Sequence, residues 1–244
     1  MSTLVLLREQ IAANRRAYQV CVAVVVAALA LFGLLVTLVL GLGVGGLGAG
    51  LGLAVLVVGF APGVGERTAL REAGAQEAEP DRWPRYHNLV EGLSQVAGLP
   101  MPRLYVADSD AANAFSVGRD PERAALVVTR GLFTSLNRVE LEGVLAHELS
   151  HIWSWGTRLA TLGVALGRVP GVLRLVAPTR REFDADEGGA RLTRYPPGLV
   201  SALKKLAGGE QPPSGPGMRH LWIMAPEDST HPPVADRIAA LRQL

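Results

Sequence analysis

From Val20 to Phe60 the chain carries no charged residue, a run of 41 positions. One bilayer crossing takes about 20 apolar residues. The run therefore predicts two transmembrane helices, near residues 20–40 and 42–60, with a turn in the glycine-rich stretch Gly41–Gly50. Gly41, Gly45, Gly46 and Gly50 supply the small-residue spacing that lets membrane helices approach closely. A cleaved signal peptide would show a shorter apolar core and no second run directly after it. Residues 1–61 are thus read as a short basic segment followed by a membrane hairpin. Arg15 and Arg16 precede the hairpin, Arg67 and Arg71 follow it, and its turn is uncharged. The positive-inside rule then expects both chain ends, and everything after Phe60, in the cytoplasm.

After the hairpin the pattern changes. Residues 62–82 are polar, with Glu66, Glu72, Glu77, Glu79 and Asp81, and read as a linker to a domain over 83–244. Leu89, Val90, Leu93 and Val96 recur at helical spacing and predict a helix over 83–97, closed by Pro100 and Pro102. The segments 103–108 and 124–129 read as strands, and Asn113–Gly118 between them as an edge strand. A helix over 138–155 follows, with Asn137 as N-cap and Glu140 placed for a capping box. Residues 157–178 are apolar but broken by Arg158, Arg168, Arg174, Pro170 and Pro178. They are too interrupted to span a bilayer and are expected to touch its surface, with a pair of core helices as the alternative. Helices are expected over 180–194, 199–206 and at the C-terminus, and a loop over 208–217. The fold class is α+β: a two-helix membrane hairpin, then a mostly helical domain with a small β-sheet.

Composition narrows the partners. Charged residues make up 19% of the 244 positions and the net charge is only +2, which argues against nucleic acid. A pI near 9.0 suits a protein lying against anionic lipid, so the bilayer is the expected partner. Cys21 is the only cysteine, which excludes an intramolecular disulfide and a cysteine-based metal site.

The candidate chemistry lies in His147-Glu148-Leu149-Ser150-His151. Residues four apart stand one above the other on a helix, so both imidazoles can reach one ion. Glu148 lies about 100° around from His147, near enough to address a water without coordinating the metal. Two ligands plus a base is what metal-assisted peptide hydrolysis needs. A third ligand is sought downstream, where Glu182 and Asp186 share one helix face. Spacing alone allows either carboxylate to bind the metal while the other orients a ligating histidine. His87 and His220 have no motif around them and read as surface residues.

Four motifs taken together resemble the HtpX-type membrane metalloproteases, relatives of the type I CAAX prenyl endopeptidases. They are His147-Glu148-x-x-His151, Glu182-x-x-x-Asp186, Ser229-x-His231-Pro232 and Asn113-Ala114-Phe115. The resemblance covers residues 83–244, with the two apolar spans in the expected place. It implies a gluzincin-type fold and one Zn²⁺ per chain held by His147, His151 and Glu182, with Asp186 behind His147. It further implies Glu148 as catalytic base, His231 as a partner for the charge on the tetrahedral oxygen, and Asn113, Ala114 and Phe115 as an edge that holds an extended substrate. The expected function is hydrolysis of membrane or misfolded proteins at the cytoplasmic face of a prokaryotic inner membrane. The competing readings are a zinc-stabilised adaptor that binds clients without cutting them, and a prenyl-protein peptidase. Intact Glu148 disfavours the first, and the short membrane part the second. HtpX-type chains usually carry two more membrane segments between the histidine helix and the glutamate helix. Here residues 152–181 span only 30 positions.

Overall fold

The computed structural model describes residues 3–41, 45–166, 179–215, 217–225 and 231–244. Two long helices open the chain, α1 (Thr3–Leu40) and α2 (Gly45–Glu72), and both are long and apolar enough to cross a membrane. α2 already begins at Gly45, within the glycine-rich stretch Gly41–Gly50 expected to hold the turn. Gly46 and Gly50 of α2 face Gly33 of α1. A Cβ on any of the three would collide with the opposite backbone or with Thr37. Gly41 and Gly45, by contrast, have open space around them and take no part in this close approach.

The stretch 62–82 is not a linker. α2 runs on through Pro62 to Glu72, and Ala75–Glu77 forms strand β1. The helix continues because its small residues Ala61, Gly65 and Ala69 bury a face that the rest of the domain covers. Gly65 is one contact point, with space for no more than a hydrogen against the Thr161 carbonyl.

Then come α3 (Pro84–Ala97), β2 (Arg103–Ala107), β3 (Ala114–Val117), a 3-10 turn at Pro121–Arg123, and β4 (Ala125–Thr129). Helices α4 (Arg130–Ser135), α5 (Arg138–Trp153), α6 (Gly156–Leu166), α7 (Arg180–Thr193), α8 (Pro196–Ala207) and α9 (Val234–Leu241) complete the described chain. The sheet order is β1-β2-β4-β3, with β2 and β4 parallel and the two outer strands antiparallel to their neighbours. Side chains alternate across a sheet. Leu104, Val106, Leu126 and Val128 therefore join the core of α3, α5 and α8, while Ala107, Ala125 and Val127 pack against Ala69, Ala160 and Val164. The same alternation sends Phe115 and Val117 to the second cluster and turns Ser116 towards α5.

α6 is an ordinary packed helix over its described length, with Thr157, Leu159, Ala160, Thr161 and Leu162 buried. Over 157–166 that fits the core-helix alternative for the segment 157–178. Residues 167–178 and Ser229 lie outside the described residues.

Candidate metal centre

α5 carries the site and is fixed at its start. Asn137 accepts from the Glu140 N–H at 3.0 Å, and Glu140 Oε2 accepts from the Asn137 N–H at 2.9 Å, which closes the capping box. Glu140 also receives Ser201 Oγ and Lys205 Nζ, both at 2.7 Å, tying α5 to α8. Burial works to raise the Glu140 pKa, but these hydrogen bonds outweigh it and hold the carboxyl below its ordinary value.

α7 lies unusually close to α5. A Cβ on Gly189 would sit 2.8 Å from the His147 nitrogen, and one on Gly188 would strike Ser150. Two adjacent glycines thus let the helices approach until Glu182 reaches both histidines. Its Oε2 is 3.5 Å from His147 Nε2 and its Oε1 is 3.6 Å from His151 Nε2. One donor atom from each of the three residues lies within 4.8 Å of the other two, and all three side chains are buried. Asp184 and Glu187 point elsewhere, towards Arg180 and Arg191.

The donor set fits a divalent cation. Buried polar atoms are ordinarily hydrogen-bonded, yet His147 Nε2 and Glu182 Oε2 are buried with no hydrogen-bond partner. His147 Nδ1 lies 2.8 Å from Asp186 Oδ1. If Nδ1 carries the proton, the Nε2 lone pair is aimed at Glu182 and His151, the arrangement that metal-binding histidines use. Burial works to lower the His147 pKa, but its contacts to Asp186 and Glu182 outweigh that and push it to about 9. Burial lowers His151 to about 4. Glu182 is held well below the usual carboxylate range, since both histidines outweigh its own burial.

Glu148 lies beside this cluster and not in it. Its Oε2 accepts from Ser116 Oγ at 2.7 Å, while Oε1 is buried without a partner. Burial pushes its pKa up to about 7, in the range of a group that exchanges protons at neutral pH. His231 is buried, its Nε2 lying 2.8 Å from the Trp222 carbonyl, and it is close enough to Glu182 to influence its charge.

Asn113, Ala114 and Phe115 sit differently from the expectation. All three are completely buried. The Thr129 N–H donates to the Asn113 carbonyl and the Ile223 N–H to the Ala114 carbonyl, while the Asn113 side chain donates to Met224 and Gln211. Their backbone is therefore used inside the fold, and by alternation the edge turned away from β4 is that of Ser116. His220, expected at the surface, is buried with Nε2 2.8 Å from the Ala160 carbonyl.

Arg237 was not foreseen. It is a fully buried arginine on α9, and its Nε and Nη2 each donate to Asp186 at 2.7 Å. Its Nη1 donates to the Ile223 carbonyl at 2.7 Å. Arg181 was also missed; its Nη2 spans Glu182 and the His220 carbonyl. The one available signal for Arg237 is an arginine among apolar residues in the last helix, which is too common to single out.

The sequence profile of peptidase family M48 matches residues 80–169 and 156–244. The chain belongs to peptidase family M48. Among its curated relatives is the "Protease HtpX homolog" of Dictyoglomus turgidum, 36% identical, with the match covering 72% of this chain and 74% of that one. The protein of the same name from Tropheryma whipplei is 36% identical over 73% and 78%. That of Streptococcus uberis is 33% identical over 70% and 76%. As an HtpX-like member of M48 the chain is a protease, and its two apolar helices mark it as membrane-associated. The two profile matches overlap over residues 156–169, from the start of α6.

Proposed function

We propose that the protein is a membrane-anchored zinc endopeptidase that cuts membrane or misfolded proteins at the cytoplasmic face of a bacterial inner membrane. The observation that carries the reading is the convergence of His147 Nε2, His151 Nε2 and the Glu182 carboxylate beside an unpartnered Glu148 oxygen. His147, His151 and Glu182 would hold one Zn²⁺, with Asp186 fixing the His147 tautomer. When bound, the ion supplies Lewis-acid polarisation of the attacking water and the scissile carbonyl.

Ser116 holds one Glu148 oxygen, so the other takes the proton from the attacking water as its oxygen bonds to the carbonyl carbon. Glu148 then gives that proton to the leaving nitrogen as the C–N bond breaks, and a carboxylic acid and an amine separate. His231 supports the charge on the tetrahedral oxygen. An extended substrate adds to the sheet edge at Ser116, through backbone groups that impose little sequence preference.

The test is cleavage of an unfolded protein and of a panel of membrane proteins by the purified full-length chain. Activity should need one equivalent of zinc, disappear with a chelator and return with Zn²⁺. Binding of the unfolded protein without any cleavage in the zinc-loaded state would favour an adaptor.

A further inference from the structure

Where α1 leaves its apolar stretch it meets the start of α6, and the two enclose a cavity of about 170 Å³. Its lining is Asn14, Arg15, Tyr18 and Gln19 from α1, and Trp155 and Arg158 from beyond α5. There are two cations and no carboxylate. Neither arginine takes part in an ion pair among the described residues, and Arg15 is exposed. Arg158 stacks over the Tyr18 ring at 3.9 Å, which leaves the edge of its guanidinium free. Its Nε is buried with no hydrogen-bond partner. A planar guanidinium edge in that state is matched by a phosphate oxygen.

Depth selects the source of the phosphate. The unbroken apolar run begins at Val20, just after the polar Gln19. With a rise of about 1.5 Å per residue, Gln19 to Asn14 lie roughly 2–9 Å outside that boundary. The headgroup layer on each side of a bilayer is about 5–8 Å thick. Tyr and Trp are the residue types that favour this layer.

We propose that this cavity is a binding site for the phosphate headgroup of an anionic phospholipid, with Arg15 and Arg158 as its ligands. The proposal rests on the membrane placement of α1 and α2 and is independent of the peptidase chemistry. The site also adjoins the zinc helix. Asn14 donates to the carbonyl of Ser154, the residue that ends α5, at 2.9 Å. Trp155 follows in the left-handed conformation, at φ 62°. A lipid seated here fixes the anchor against the end of the helix that carries His147 and His151.

The test is native mass spectrometry of the purified full-length chain, titrated in detergent with phosphatidylglycerol, with phosphatidylcholine, or with inorganic phosphate. One phosphatidylglycerol should be retained where phosphatidylcholine is shed. Arg15→Gln and Arg158→Gln should each weaken retention roughly tenfold, as loss of a charge-assisted contact does. Arg16→Gln, at the same depth but about 100° around α1, should not. Arg15 is exposed and makes no hydrogen bond or ion pair among the described residues, so Arg15→Gln stays decisive if Arg158→Gln unfolds the domain. Equal losses for Arg15→Gln and Arg16→Gln would reduce the effect to diffuse surface charge and overturn the site. Equal retention of both lipids would overturn it too. Protection from thermal unfolding by inorganic phosphate as strong as that by the lipid would make the ligand a free anion. Retention of neither lipid would overturn the site as well.

Discussion

Asp186 serves two partners with one carboxylate. Oδ1 sits against His147 Nδ1, and both oxygens receive Arg237. Removing it therefore has two separable consequences. Asp186→Ala should weaken zinc binding by about 10–100-fold, as loss of a ligand-orienting partner does. It should also cost about 3–5 kcal/mol of stability, because Arg237 is left buried without its counter-ion. The double variant Asp186→Ala/Arg237→Leu should recover most of the stability but none of the zinc affinity. Thermal unfolding and competitive zinc titration on the same samples separate the two; joint recovery of both would contradict the division. Glu182→Ala should nearly abolish zinc binding, whereas Asp184→Ala and Glu187→Ala should bind almost normally. The ligand candidates were legible because helical spacing is local: His147 with His151, and Glu182 with Asp186, are each one turn apart. Ser116 and Arg237 reach the site from 32 and 51 residues away. No spacing rule connects such pairs, and only the packed sheet and α9 bring them in.

The α5–α7 contact is where packing and chemistry meet. An alanine in place of a helical glycine normally stabilises a helix by about 1 kcal/mol. At Gly189 the new Cβ would press on the His147 backbone, which cannot yield as a side-chain tip can. Overpacking of this kind costs about 1–3 kcal/mol. Gly189→Ala should thus be net destabilising and should weaken zinc binding by moving Glu182 away; an unchanged melting temperature with intact zinc affinity would count against it. The α5–α8 tie predicts a pH dependence. The folded-state pKa of Glu140 is depressed, so its contribution is complete above the ordinary carboxylate value of about 4.3 and is lost as pH falls through the lower folded value. The stability gap between the wild type and Glu140→Gln should be flat from pH 6 to 8 and narrow below about pH 4. Lys205 is half exposed, so the gap stays modest. Most element boundaries were readable from periodicity and caps, including the box at Asn137. The end of α2 was not, because Pro62 and the return of charge imitate a linker. What continues that helix is burial of Ala61, Gly65 and Ala69 against distant chain, which no local pattern reports.

On the scale of the whole molecule, the two apolar helices and the soluble part are one piece. α2 runs from the hairpin into the domain and packs on α6, while Asn14 of α1 bonds the end of α5. The anchor thereby sets the height and orientation of the site relative to the bilayer. Topology can be read with single cysteines in a Cys21→Ser background, placed at Gly45, which has open space, and at the exposed Gln95 and Gln243. An impermeant thiol reagent on intact cells should label only the Gly45 position, and labelling of Gln95 or Gln243 would place the domain outside. The central claim is that Glu148 moves the proton while three other residues hold the metal. The most direct measurement is the cleavage rate of Glu148→Gln, compared with wild type at matched zinc content. Full zinc occupancy with a rate lower by on the order of 10²–10⁴ or more is the predicted result. Substantial cleavage by the zinc-loaded variant would contradict the account.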